Sequence, residues 1–155
     1  MKPEDLLDQA GMERAFADYF RQVSETSAGT FNDMLHPEFV RCDFDGQRVV
    51  LRVRIQKWMT NPGGILHGGI IASLLDFTMG LLCRYFSGGT MTPTVSMEVS
   101  YLRAVPMDGA ICIGAQVTKR GRTFLNTLGS LWAEGAEERL LATATGVYYA
   151  GGSVH

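Results

Sequence analysis

The spacing of apolar residues along this chain changes from helical to alternating, with one long apolar run set between two alternating stretches. Leu6, Leu7, Ala10, Phe16, Ala17, Phe20 and Val23 recur among Glu4, Asp5, Asp8, Glu13, Arg14, Asp18 and Arg21. That spacing predicts an amphipathic helix over Pro3 to Ser24, weakened near Gly11. Ser24 to Thr30 is rich in Ser, Thr and Gly and reads as a linker, with one short turn at Phe31, Met34 and Leu35. From Phe39 the period is two. Phe39, Arg41, Asp43 and then Val49, Leu51, Val53, Ile55 alternate across Asp45-Gly46, which favours a tight hairpin turn. Asn61-Pro62-Gly63-Gly64 interrupts regular structure, and the run Gly68 to Cys83 then reads as one long helix, ended by Ser87-Gly88-Gly89. Thr94 to Val105 alternates through Val95, Met97, Val99 and Tyr101, and closes at Pro106 and Asp108-Gly109. Ala110 to Thr118, Thr123 to Ala133 and Leu140 to Tyr149 complete the strands.

This order implies an α+β fold. Consecutive hairpins make a mostly antiparallel sheet of about six strands. A helix that is apolar nearly all round must be covered on most sides, so the sheet is expected to curve around it. We divide the chain into an N-terminal amphipathic helix and linker, residues 1–30, and a single domain, residues 31–155.

Composition adds mainly exclusions. The 155 residues are 46% hydrophobic with a formal net charge of -2, enough for one sizeable core. Such a charge gives no electrostatic reason to expect nucleic acid or anionic membranes as partners. Cys42, Cys83 and Cys112 form no CxxC pair and no metal-ligand pattern, so reduced thiols in a cytoplasmic protein are expected, with no metal. The acidic start, Met1-Lys2-Pro3-Glu4-Asp5, lacks the apolar segment of a signal peptide. Gly68 to Phe86 is almost long enough to span a bilayer, but it carries Asp76 and Arg84 and reads as a buried core helix.

Candidate chemistry gathers on that helix. Asp76 sits in its apolar middle, where a buried carboxylate is expensive unless it is paired or reactive. Gly68 and Gly69, behind His67, allow a carbonyl oxygen to approach the unpaired N–H groups of a helix start. Such donors stabilise the oxyanion formed when a thioester or ester carbonyl is attacked. Asp76 could serve as general base on a water or as the nucleophile itself. Seven residues separate Gly69 from Asp76, roughly 10 Å along a helix. One carbonyl carbon cannot meet both on the same helix. The pair makes a site only if Asp76 faces the Gly69 turn of a second subunit, which predicts a symmetric dimer with two composite sites.

Asn61-Pro62-Gly63-Gly64-Ile65-Leu66-His67-Gly68-Gly69 followed by Leu75-Asp76 resembles the signature of hotdog-fold acyl-CoA thioesterases, in particular the phenylacetate-pathway (PaaI-like) branch. Thr94 to Arg103 resembles that branch's strand after the helix, and Lys119-Arg120-Gly121-Arg122 its basic hairpin. The resemblance runs from about Phe39 to Tyr149. It implies a hotdog fold, with the curved sheet wrapped around the central helix, and a homodimer, commonly paired into a tetramer. It also implies hydrolysis of an acyl-CoA to free acid and coenzyme A. No separate cofactor is implied, since coenzyme A is part of the substrate.

Carried over by position, the resemblance implies that Gly69 N–H polarises the thioester carbonyl, with Gly68 beside it in the substrate-binding turn. Asp76 of the facing subunit would be base or nucleophile. Asn61 would help place the water or thioester, His67 would support the turn or contact the thioester, and Thr94 would sit beside Asp76. Arg120, Gly121 and Arg122 would meet the phosphates of the nucleotide. Each also has a plainer reading: Asn61 as a turn residue, His67 as a cap, Thr94 as an ordinary strand residue, the basic turn as an exposed hairpin. Met79, Met91, Met97 and Phe77 read as core or interface packing rather than an acyl pocket. The segment Pro3 to Ser24 lies outside the resemblance and could cover the acyl pocket, and Ser96 departs from the acidic or polar residue usual at its position. Two alternatives remain: a non-catalytic acyl-CoA-binding protein, and a hotdog hydratase or dehydratase, for which His67 is poorly placed as a free base.

Overall fold

The computed structural model describes residues 3–26 and 28–151, so the last four residues of the 31–155 domain lie outside the described residues. Pro3–Leu6 forms a 3-10 turn and helix α1 (Gln9–Thr26) follows. The interruption falls at Leu7-Asp8 rather than at Gly11, because Asp8 Oδ1 accepts the Gly11 N–H at 2.7 Å and starts the helix there. Gly11 is a point of close approach: a Cβ would meet the Asp5 backbone at 2.9 Å. The helix also runs on to Thr26, into the stretch read as a linker.

Met12, Ala15 and Phe16 are buried in the main core. Phe16 stacks on Phe39 and on Tyr85, and the Tyr85 hydroxyl donates to the Asp5 carbonyl at 2.8 Å. The N-terminal helix thus shares its core with the sheet and the central helix. A one-turn helix, α2 (Phe31–Met34), is capped by Thr30, whose hydroxyl accepts from Asp33 N–H.

Six strands form one antiparallel sheet: β1 (Glu38–Asp43), β2 (Arg48–Arg54), β3 (Thr94–Tyr101), β4 (Ala110–Arg120), β5 (Phe124–Ala133) and β6 (Leu140–Tyr149), in the order β1-β2-β4-β5-β6-β3. Between β1 and β2, Gln47 rather than Gly46 takes the left-handed conformation, at φ 51°. Gly46 N–H instead donates to Asp43 Oδ1 at 2.9 Å. The turn therefore spans four residues, not the two expected from Asp45-Gly46.

The central helix α3 (Gly68–Phe86) lies against the concave face. Its seat is one row of the sheet: Val49, Ala115, Gly129, Ala144 and Val99 pair in register across five strands. Three of the five are Ala or Gly, so the helix can sit low on the sheet. A Cβ on Gly129 would lie 3.0 Å from Leu75 Cδ2 and Met79 Sδ, so valine there would push α3 away. Leu74, Leu75, Leu82 and Cys83 are fully covered. Truncating Leu82 to Ala would cost about 2–5 kcal/mol. By length and composition α3 is long and apolar enough to cross a membrane, but it lies in the core of this fold.

β3 is shorter than the alternation implied, ending at Tyr101 rather than Val105. Val105 leaves the sheet to bond the loop before α3, its carbonyl accepting from Leu66 N–H at 2.9 Å. At its other end β3 carries a bulge between Thr94 and Ser96. The bulge turns Thr94 to the inner face opposite Tyr148 and leaves Val95 exposed, the reverse of what strict alternation gives.

Candidate active site

Nine of the nineteen residues of α3 are buried, against the sheet and the N-terminal helix. Ser73, Asp76, Phe77, Gly80 and Arg84, spaced one to four residues apart, form the stripe left partly open. Asp76 is therefore half-buried in a single chain rather than buried as expected. Thr94 Oγ1 donates to Asp76 Oδ1 at 2.7 Å, and the Tyr148 hydroxyl donates to the same oxygen at 2.9 Å. A hydrogen bond to a charged acceptor is worth about 1.5–3 kcal/mol, so two of them fix the carboxyl group firmly. Burial, and after it the charge of Asp76, pushes the Tyr148 hydroxyl far above the ordinary phenol range, so it remains a donor. Among the described residues Oδ2 has no partner.

Tyr148 was legible in the sequence only as a residue of the last strand. It reaches Asp76 because two glycines make room for its ring. A Cβ on Gly80 would stand 3.3 Å from the ring, and one on Gly146 2.9 Å.

Asp76 opens into a cavity of about 340 Å³. Phe77, Leu81 and Met91 give it apolar walls, and Phe77 also packs against the core as expected. Met79 is fully buried in the core as expected, and Met97 packs on the core from the edge strand. Tyr19 of α1 and Phe31 of α2 close one side, so the N-terminal segment reaches this cavity.

The N-terminal end of α3 is built differently. His67 is the N-cap, and its Nδ1 accepts the Gly69 N–H at 2.9 Å. Gly69 N–H is thus occupied in the unliganded chain, whereas the sequence suggested an unengaged donor. With Nδ1 accepting, a neutral ring carries its proton on Nε2, as a second donor at the exposed helix end. A Cβ on Gly69 would lie 3.1 Å from His67 Nδ1, and Gly68 packs under the Tyr101 ring, whose hydroxyl donates to the Gly68 carbonyl at 3.0 Å.

Asn61 lies just upstream, its Oδ1 accepting from Gly63 N–H at 2.9 Å and from Ile65 N–H at 3.4 Å. This is turn chemistry that shapes the approach to His67.

Arg120, Gly121 and Arg122 surround a separate hollow of about 520 Å³ at the far end of α3. Arg120 lies over the Phe86 ring at 4.8 Å. Phe86 is ten residues beyond Asp76, roughly 15 Å along the helix. The single chain therefore joins Asp76 with Thr94, and His67 with Gly69, but keeps these two groups and the basic turn apart. Another hollow, about 500 Å³, lies on the outer sheet face over Gly114 and Ser130. We place the site at the smaller cavity because it holds Asp76. Among the described residues no three His, Cys, Asp or Glu side chains converge as a metal site.

The model of the family described as "Thioesterase superfamily" matches residues 63–139. Human acyl-coenzyme A thioesterase 13 is 34% identical over 82 residues, 52% of this chain and 57% of that protein. The chain thus matches little more than half the length of that relative. A candidate esterase of Pseudomonas aeruginosa is 30% identical over 119 residues, covering 76% of this chain and 85% of its own. Among solved structures, zebrafish thioesterase superfamily member 2 aligns over 94% of this chain and 99% of its own, at a TM-score of 0.75 and 26% identity. A hypothetical thioesterase from Streptococcus pneumoniae, solved with coenzyme A, aligns over 73% of this chain and 86% of its own, at a TM-score of 0.64 and 25% identity.

Proposed function

Because the chain belongs to the thioesterase superfamily, we propose that it hydrolyses an acyl-CoA thioester to a free acid and coenzyme A. One observation carries the proposal: a carboxylate on the open stripe of α3, tied at one oxygen and open at the other, faces a cavity with apolar walls. The names of the human and pneumococcal proteins support coenzyme A thioesters as the substrate class.

In this reading Asp76 either takes a proton from a water that attacks the carbonyl carbon, or attacks that carbon itself. On the base route the carbon–sulfur bond then breaks and the thiolate takes the proton held by Asp76. On the nucleophile route it breaks to leave a mixed anhydride of Asp76, which water hydrolyses to the free acid, a proton of that water going to the thiolate. Gly69 N–H, released by or shared with His67, polarises the carbonyl oxygen from the helix end of a partner subunit. Two features support the shared site. Gly69 and Asp76, seven positions apart, are held roughly 10 Å from each other on one helix. Thr94 also begins β3, an edge strand whose Val95 and Tyr101 are exposed. We therefore propose a homodimer, paired further into a dimer of dimers, with the Arg120-Gly121-Arg122 turn receiving coenzyme A phosphates. Free Cys83 and Cys112, both buried, suit a cytoplasmic protein.

The test is coenzyme A release from aryl-, short- and medium-chain acyl-CoAs, wild type against Asp76→Asn. Turnover by wild type that is abolished in the variant supports the proposal. Tight binding of acyl-CoA with no turnover of any thioester would instead indicate a binding protein.

A further inference from the structure

Resting on the thioesterase reading, we propose that the preferred acyl group ends in an anionic acceptor, a carboxylate before all others, received by Arg84. Arg84 lies eight residues beyond Asp76 on the same open stripe, roughly 12 Å along α3, and lines the same cavity. Gly80, between them, brings no side chain of its own, and the Tyr148 ring lies over it as part of the cavity wall. The guanidinium is held from two sides: Nε donates to the Gly89 carbonyl at 3.0 Å, and the group lies 5.8 Å from the centre of the Tyr19 ring. Its two terminal nitrogens have no partner among the described residues, and no carboxylate pairs with it. Arg14, Arg41 and Arg52 each have a carboxylate partner. A half-buried, preset guanidinium without a counter-ion is suited to a carboxylate that arrives with the substrate. The walls between, Phe77, Leu81 and Met91, fit an apolar middle to that acyl group.

A phosphate of coenzyme A carries the same chemistry, but the cavity shared with Asp76 favours the acyl end. The experiment compares kcat/KM for succinyl-, glutaryl-, adipyl- and suberyl-CoA with that for butyryl-, valeryl-, hexanoyl- and octanoyl-CoA. It uses wild type, Arg84→Gln and, to guard against a loosened Gly89 turn, Arg84→Lys. Wild type should favour at least one carboxyl-ended chain. Arg84→Gln should lower that preference about tenfold to a hundredfold, the scale of one charged hydrogen bond, and Arg84→Lys should retain part of it. The same loss should appear on N-acetylcysteamine thioesters, which lack phosphates. Turnover with no preference for the carboxyl end, or an Arg84 effect confined to the coenzyme A esters, would overturn this assignment and leave the thioesterase reading standing. No turnover of any thioester would remove both.

The two hydroxyls at Asp76 carry a second inference. We infer that Tyr148 is a positioning residue which, with Thr94, occupies Oδ1 and leaves Oδ2 as the reacting oxygen. Both donors reach one oxygen, at 2.7 and 2.9 Å, and Tyr148 OH also lies 3.2 Å from the Asp76 carbonyl, so side chain and helix backbone are held together. In Tyr148→Phe, kcat should fall about tenfold with KM little changed. Thr94→Val should lower kcat in the same way, and the double variant further. A Tyr148→Phe protein with a lower melting temperature but unchanged kcat would reduce Tyr148 to packing. The Asp76→Asn control separates that result from failure of the thioesterase reading.

Discussion

The two ends of the proposed chemistry lie on one helix yet are prepared very differently. In the middle of α3, Asp76 is fixed by hydroxyls from β3 and β6 and faces a formed cavity. At the helix start, Gly69 N–H is spent on the His67 cap, and the turn around it is exposed. One region is organised by tertiary packing within a single chain. The other is held by the His67 cap and by the Tyr101 hydroxyl on the Gly68 carbonyl, and lies apart from that cavity. Seven residues of rigid helix keep them apart. The proposed site, split in this way, would need a second copy to bring a start to a middle.

That contrast makes graded demands. Asp76→Asn keeps the shape and both hydroxyl neighbours but removes the base or nucleophile. Turnover of acyl-CoA should drop about a thousandfold while the melting temperature stays within a few degrees. Gly69→Val acts at the other region, setting a branched side chain against His67 Nδ1, which already lies 3.1 Å from a Cβ at that position. We expect kcat/KM to fall about a hundredfold, the scale of one oxyanion donor, and steady-state kinetics will show whether kcat carries the loss. His67→Ala removes the cap alone. It should cost about 1 kcal/mol in denaturant unfolding, and activity should fall less than in Gly69→Val because the N–H is then open to the substrate.

The fold could be read from the chain wherever one residue's neighbours in sequence decide its place. Alternation identified all six strands, and the apolar run identified α3. Where a long-range contact decides, the sequence misled. Gly11 looked like a helix breaker, and it is the contact point for the Asp5 backbone. Val95 fitted the inward alternation, but the bulge turned Thr94 inward instead. The same divide runs through the site. His67, Gly68, Gly69 and Asp76 are clustered in sequence and were legible. Tyr148 lies 72 residues from its partner and announced itself only through small residues at Gly80 and Gly146, which could not be interpreted before the helix was docked. Tyr19, Phe31 and Arg84 were hidden for the same reason: their cavity exists only once α1, α2 and α3 are packed.

The most direct test of the split site is to mix Asp76→Ala and Gly69→Val proteins, each inactive alone, and to follow subunit exchange by native mass spectrometry. If each site takes Asp76 from one chain and Gly69 from the other, every heterodimer regains one intact site. A fully exchanged equal mixture should then show about a quarter of wild-type activity. Verified exchange with no recovery would contradict the account, because it would place both residues' functions within one chain or outside the chemistry altogether.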